Sequence, residues 1–183
     1  MRIRSNLFNI ILSLACAGVF VACETPSRDK KDKEPKIKPT KENISTIRCH
    51  VEAHPGDGNR TMLATVGQGE MVLMANPLIS EANVVRAEAW NTSDNGVAIR
   101  LVLDRIGRRE LLMTSGAMRG ARMAISSQYP EQKWIGIVVF DRVMQDGTLT
   151  FVCHTPPEEA DRIVKGLNIV AAELEKDRDE DDY

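Results

Sequence analysis

Apolar residues along this chain recur at two spacings: strict alternation, which marks strands, and steps of three and four, which mark helices. The β-branched residues between Ile44 and Ala53 predict a strand, which Pro55-Gly56-Asp57-Gly58-Asn59 must end. Met62 to Val66 and Met71 to Ala75 predict a hairpin around Gly67-Gln68-Gly69, and Asn76-Pro77 then breaks the ladder. With Ser80 as N-cap, Ala82, Val85 and Ala89 fall on one face of a short helix predicted over Glu81 to Trp90. Asp94-Asn95-Gly96 turns the chain into a strand over Val97 to Leu103.

A second helix is predicted from Arg105 to Met118, capped by Asp104, with Gly107, Leu111, Thr114 and Met118 as its inward stripe. Strands follow at Ala121 to Ser126, Trp134 to Asp141 and Thr148 to His154, the last two joined through Asp146-Gly147, a preferred hairpin dipeptide. The closing helix has the clearest start signal: Thr155 as cap, Pro156 at its first position and Glu158 as capping-box partner. Its apolar face is Ala160, Ile163, Val164, Leu167, Val170, Ala171 and Leu174. Strands and helices in this irregular order predict an α+β fold: one domain, with a mixed, mostly antiparallel sheet and helices packed on one face.

The first residues change the picture. Two arginines at Arg2 and Arg4 precede an uncharged apolar stretch from Leu7 to Ala22. It is too short to span a bilayer and ends in small residues, as a secretory signal does. Phe20-Val21-Ala22-Cys23 resembles a lipobox with Phe in place of the usual aliphatic residue. Cys23 is therefore the expected lipidation site, against the plainer reading of an ordinary cleaved signal or uncleaved anchor. Cys16 lies too deep in the apolar run to compete.

The expected layout is a signal over residues 1–22, the lipidated Cys23 with a charged tether to residue 43, a domain over 44–175 and an acidic tail over 176–183. The tether carries alternating charges and three prolines and cannot bury enough surface to offset the entropy of ordering. As a coil of ~20 residues it reaches roughly 25 Å. The formal charge of −2, and only 4% aromatic residues, make nucleic acid an unsuitable partner.

The run from Leu103-Asp104 through Gly107, Leu111, Ser115 and Gly120 to Met123-Ala124-Ile125 resembles a pattern of the periplasmic P1 head domain of SecD, an accessory subunit of the bacterial Sec translocon. Thr155-Pro156-Pro157-Glu158-Glu159-Ala160, followed by an apolar-striped helix, is similar to that family's closing helix, and Asn76-Pro77 fits its lead-in. The resemblance covers about residues 70–170. Ser127 to Lys133, followed by Trp134-Ile135-Gly136, departs from the family's Asp-Gly turn and Ser-Ala-Pro strand. No transmembrane helix follows the signal, so proton-driven translocation is not expected of this chain alone. The resemblance implies a domain that holds an extracytoplasmic polypeptide.

Two cysteines remain in the mature domain, Cys49 and Cys153. In an oxidising compartment they form a disulfide if their strands adjoin, worth up to roughly 4.7 kcal/mol for a loop of about 100 residues; otherwise they are two separately buried thiols. Cys49-His50, Cys153-His154 and His54 offer zinc-type donors, but adjacent strand residues point to opposite faces, so no metal site is expected and the histidines are read as solvated or surface-bonded. No Gly-x-Ser-x-Gly elbow, phosphate-cradling loop or His-Glu-x-x-His helix is present, so no catalytic residue and no cofactor are expected. Met62, Met71, Met74, Met113, Met118, Met123 and Met144 are read as core filling ahead of an adaptable peptide groove.

The sequence thus predicts a membrane-anchored extracytoplasmic lipoprotein whose domain binds exported polypeptide or an envelope or secretion complex. The alternatives are a structural envelope lipoprotein docked permanently on one partner, and a small hydrolase or metal-handling protein.

Overall fold

The computed structural model describes Thr40 and residues 43–181, apart from 55–59, Gln68, Asn95 and 129–130, with side chains described to Lys176. The signal, Cys23, nearly all of the tether and the turn at Pro55–Asn59 lie outside the described residues. Ile37–Tyr183 form one compact unit.

Alternation in β1 (Thr46–Val51) sends Ile47, Cys49 and Val51 into the main core. This strand is bonded on both sides, to β4 (Ile79–Ser80) and to β7 (Arg122–Gln128). With β8 (Gln132–Val139) on the far side of β7, they form an antiparallel sheet ordered β4-β1-β7-β8. A second antiparallel sheet, ordered β5-β6-β9, consists of β5 (Val84–Asn91), β6 (Val97–Leu103) and β9 (Thr148–Cys153). Helix α1 (Arg105–Ala117) and helix α2 (Pro157–Asp181) complete the element order. Ile99, Leu101, Leu111, Met123, Ile125, Ile135, Phe140, Leu149 and Ile163, each at most 1% exposed, fill the shared core.

The predicted hairpin is present as β2 (Thr61–Val66) and β3 (Gly69–Met74), with Gly67 in the turn at φ 63°. It makes its own two-stranded sheet, whose inner residues Ala64, Val66, Met71 and Leu73 close over Ala124, with Trp134 and Ile137 alongside. The fold is α+β as expected, but the strands divide into three antiparallel sheets where one mixed sheet was predicted. A second small core on the outer side of β7 and β8 draws the hairpin over them, while a Glu52–Leu73 bridge and the Ala53 N–H to Val72 O bond (2.9 Å) keep it tied to the chain leaving β1.

The helix predicted over Glu81 to Trp90 is a strand. A single 3-10 turn, Glu81–Asn83, is followed directly by β5. The ladder with β6 shifts between Val84 and Arg86, leaving Val85 as an extra, half-exposed residue. This bulge breaks the two-residue period and mimics a helical one. The Asp146-Gly147 turn also does not join its flanking strands into a hairpin: β8 pairs with β7, and β9 pairs with β6. Gly147, at φ 72°, accepts the Leu103 N–H (2.9 Å), and Asp146 accepts from the Thr148 N–H (3.1 Å) and hydroxyl (2.6 Å), so the turn starts β9 beside β6.

Asp104 caps α1 as predicted, accepting the Gly107 N–H at 2.7 Å. Ser115, rather than Thr114, completes the buried stripe; its hydroxyl donates to Leu112 O and accepts the Met144 N–H, fixing the loop before β9. Helix α2 starts at Pro157, later than predicted, because the Thr155 hydroxyl is turned to the Cys153 thiol (3.0 Å). It also continues to Asp181, into the segment read as an acidic tail. Two contacts seat it. Gly166 lies so close to the chain entering β1 that a Cβ there would meet Ser45 N at 2.6 Å. Asn168 bonds the Ala87 backbone twice, accepting its N–H (2.8 Å) and donating to its C=O (3.0 Å), which occupies the outer edge of β5.

Candidate binding groove

The edge strands β8 and β9 meet at one place and enclose a groove beside it. The meeting point depends on Gly136, where a Cβ would stand 2.6 Å from the Phe151 ring and 3.0 Å from Val152 O. There His154 N–H donates to Ile135 O at 2.8 Å. Toward the end of β8 a groove of about 500 Å³ lies between Ile137, Val138 and Val139 on one side and Thr150, Phe151 and Val152 on the other. Asp141, Arg142 and Met144 stand at its end, and a smaller hollow of about 310 Å³ under residues 142–146 shares Arg142, Met144 and Thr150 with it. Volumes of this size suit a ligand fragment or a short stretch of chain.

The register of the second sheet extends the groove into a surface. Trp90, Ala98 and Val152 stand in one cross-strand row, and Glu88, Arg100 and Thr150 in the next. Val139 and Val152 line the groove and remain 49% and 54% exposed, and Trp90, 41% exposed in the Val152 row, carries the apolar surface onward across the sheet. Arg100 stacks over the Trp90 ring at 5.6 Å and is held by Glu88 through its Nε (3.1 Å) and Nη2 (2.6 Å). Glu88 is also paired with Arg86. The Arg100 hydrogen bond, first among the causes, holds the Glu88 carboxyl below the usual carboxylate range. The indole is thereby fixed by its cation–π partner and presents an ordered apolar plate.

The sequence-predicted site residues are dispersed. Cys23 lies outside the described residues. Cys49 and Cys153 are separate free thiols, both buried, on β1 and β9, strands of different sheets; the bridge is not formed because their strands do not adjoin. Burial pushes the Cys49 thiol up to about 12. Cys49 and His50 point to opposite faces as expected, but His50 is only 4% exposed, a correction to its reading as solvated. It lies under the outer hairpin, where its Nδ1–H donates to Met74 O at 2.9 Å and its ring meets Trp134 edge-on at 5.8 Å. Burial, the largest cause, holds its pKa below the ordinary histidine value. Among the described residues no three His, Cys, Asp or Glu side chains gather as metal ligands. Met71 and Met123 are buried core residues, and only Met144 of the seven methionines lines the groove.

Sequence reasoning missed the groove because its walls come from strands predicted to be hairpin partners. The signal that could have found it is Gly136 inside a strong strand pattern, a mark of close backbone approach.

Neither protein-family models nor curated proteins match the chain. Solved structures do. A structure of SecDF, a membrane component that enhances protein export, superposes with a TM-score of 0.52 at 13% identity, over 70% of this chain and 64% of that one. SecDF in a super-membrane-facing form gives a TM-score of 0.46 at 11% identity, over 75% of this chain and 30% of that one. The first of these superpositions gives the described domain a SecDF-like fold. The chain spans less than two thirds of the length of either neighbour. Among the described residues no helix is long and apolar enough to cross a membrane.

Proposed function

We propose that this chain is a lipoprotein held at a membrane through Cys23, and that its domain, outside the cytoplasm, binds exported polypeptide or a component of an envelope or secretion complex. It acts as a binding module without catalysis of its own. The observation that carries this reading is the groove between two strand edges, lined by the half-exposed Val139 and Val152, on a SecDF-like fold. Edge strands offer backbone donors and acceptors to an added extended segment, and flanking apolar side chains hold alternate residues of that segment. The SecDF neighbour's part in enhancing protein export supports a polypeptide occupant.

The test is photo-crosslinking in intact envelopes from a probe residue placed at Val139 or Val152, with Leu63, an exposed residue of the outer hairpin, as the control position. Polypeptide adducts from the groove positions and few from position 63 are expected. Val152→Asp, on a half-exposed position, should lower the yield about tenfold, equivalent to about 1.4 kcal/mol, with thermal melting read beside it. Equal adducts from all three positions, or none from the groove, would refute the groove assignment. Fractionation of Cys23→Ser in high salt, which screens any remaining charge contact, tests the anchor separately: release from membranes is expected.

A further inference from the structure

Helix α1 turns Gly107, Leu111 and Ser115 inward. Its opposite face should then be polar, as on an ordinary surface helix. Instead it exposes Ile106, Leu112 and Met113, at 52%, 36% and 63%. At 3.6 residues per turn these share one arc with Arg105 and Arg109, while Arg119 follows just beyond the helix end. The single acid of the helix, Glu110, pairs with Arg109 at 3.2 Å. Arg108 is turned aside, its Nε donating to Gln145 O at 3.0 Å. Arg105 and Arg119 have no carboxylate partner among the described residues. The face is therefore apolar and cationic together.

We infer that this face of α1 docks on an anionic bilayer surface. Ile106, Leu112 and Met113 enter the boundary between headgroups and acyl chains, and Arg105, Arg109 and Arg119 lie along the lipid phosphates with their stems in the same layer. Charge complementarity selects anionic lipid over zwitterionic lipid. Nucleic acid would use the arginines but leave the isoleucine, leucine and methionine without a role. An acidic protein would match the charge, but a lipid anchor at Cys23 keeps the domain beside a bilayer, whose surface offers both the phosphates and the apolar layer that this face needs. The inference rests on the reading that the chain is tethered at a membrane. It adds a second, weaker contact that orients the domain there.

The experiment uses the Ile37–Tyr183 unit, which lacks both signal and lipid, in flotation with vesicles of phosphatidylglycerol and phosphatidylethanolamine or of phosphatidylcholine alone. The unit should float with the anionic vesicles and stay behind with phosphatidylcholine. An arginine near an anionic surface contributes roughly a factor of five, so Arg105→Gln/Arg109→Gln should lower partitioning about 25-fold. Ile106→Ser/Met113→Ser should lower it at least about tenfold, with thermal melting of both pairs close to that of the parent. Failure of the parent to float, or flotation of either pair at the parent's level, overturns the inference. Binding of poly-glutamate without binding to vesicles also overturns it, in favour of an acidic protein partner. None of these outcomes touches the groove, whose crosslinks are read from β8 and β9, or the anchor, which is read from Cys23→Ser.

Discussion

Replacing Asn168 by alanine should remove the clamp between α2 and β5. The side chain makes two bonds to one residue, at 2.8 and 3.0 Å, and Ala87 is only 2% exposed. Each neutral hydrogen bond contributes about 1 kcal/mol net, and a buried backbone group left without a partner costs about 1–3 kcal/mol. Some water will reach the vacated edge, so the expected loss is about 3 kcal/mol, near the lower end of the roughly 2–6 kcal/mol that two such groups would cost together. For a domain of this size it corresponds to a fall of roughly 10 °C in melting temperature. Asn168→Asp sharpens the test: it keeps the shape and the acceptor but turns a second oxygen toward Ala87 C=O, so it should melt no higher than the alanine variant. Thermal denaturation followed by circular dichroism reads both. A fall under about 2 °C for Asn168→Ala, or an Asn168→Asp protein as stable as the parent, would refute the reasoning, since solvent would then be replacing the clamp without cost.

Gly136→Ala should cost about 1–3 kcal/mol by overpacking against Phe151 and Val152 O, read as a lower urea midpoint. His50 is held neutral in the fold, with its pKa below the ordinary value, while the unfolded chain takes up a proton near pH 6.5. The unfolded state thus binds more protons in that window, and stability should fall as pH drops from about 6.5 through the folded value. Urea midpoints at pH 7.5 and 5 should show a larger acid loss in the parent than in His50→Gln. Cys49, fully buried with its thiol pushed to about 12, should react with iodoacetamide only as fast as the domain unfolds; rapid labelling in the native state would contradict its placement.

The elements that local pattern specifies were legible in the sequence. The β2–β3 hairpin, the Asp104 cap and the apolar face of α2 all follow from neighbouring residues alone. What was not legible depends on partners distant in the chain. Val85 reads as one position of a helical stripe because a bulge displaces it, and only the ladder to β6 reveals the strand. Asp146-Gly147 has hairpin chemistry, yet Leu103 N–H takes its carbonyl and sends β9 to β6. Thr155 has the chemistry of a cap, but the neighbouring thiol claims its hydroxyl. His50 reads as solvated because nothing near it in sequence places the predicted hairpin over it. The groove belongs to the same class: two edge strands that the pattern joined as a hairpin instead face each other across it.

The close approach of Gly166 to Ser45 affects how the domain bears force. A pull applied along β1 through the chain ahead of Ser45 meets a strand that is bonded to β4 on one side and to β7 along its whole length on the other. The rungs are loaded together in shear instead of opening one by one, while the helix above grips the point of entry. A load taken up there is borne inside the larger sheet, by a strand with a bonded neighbour on each side.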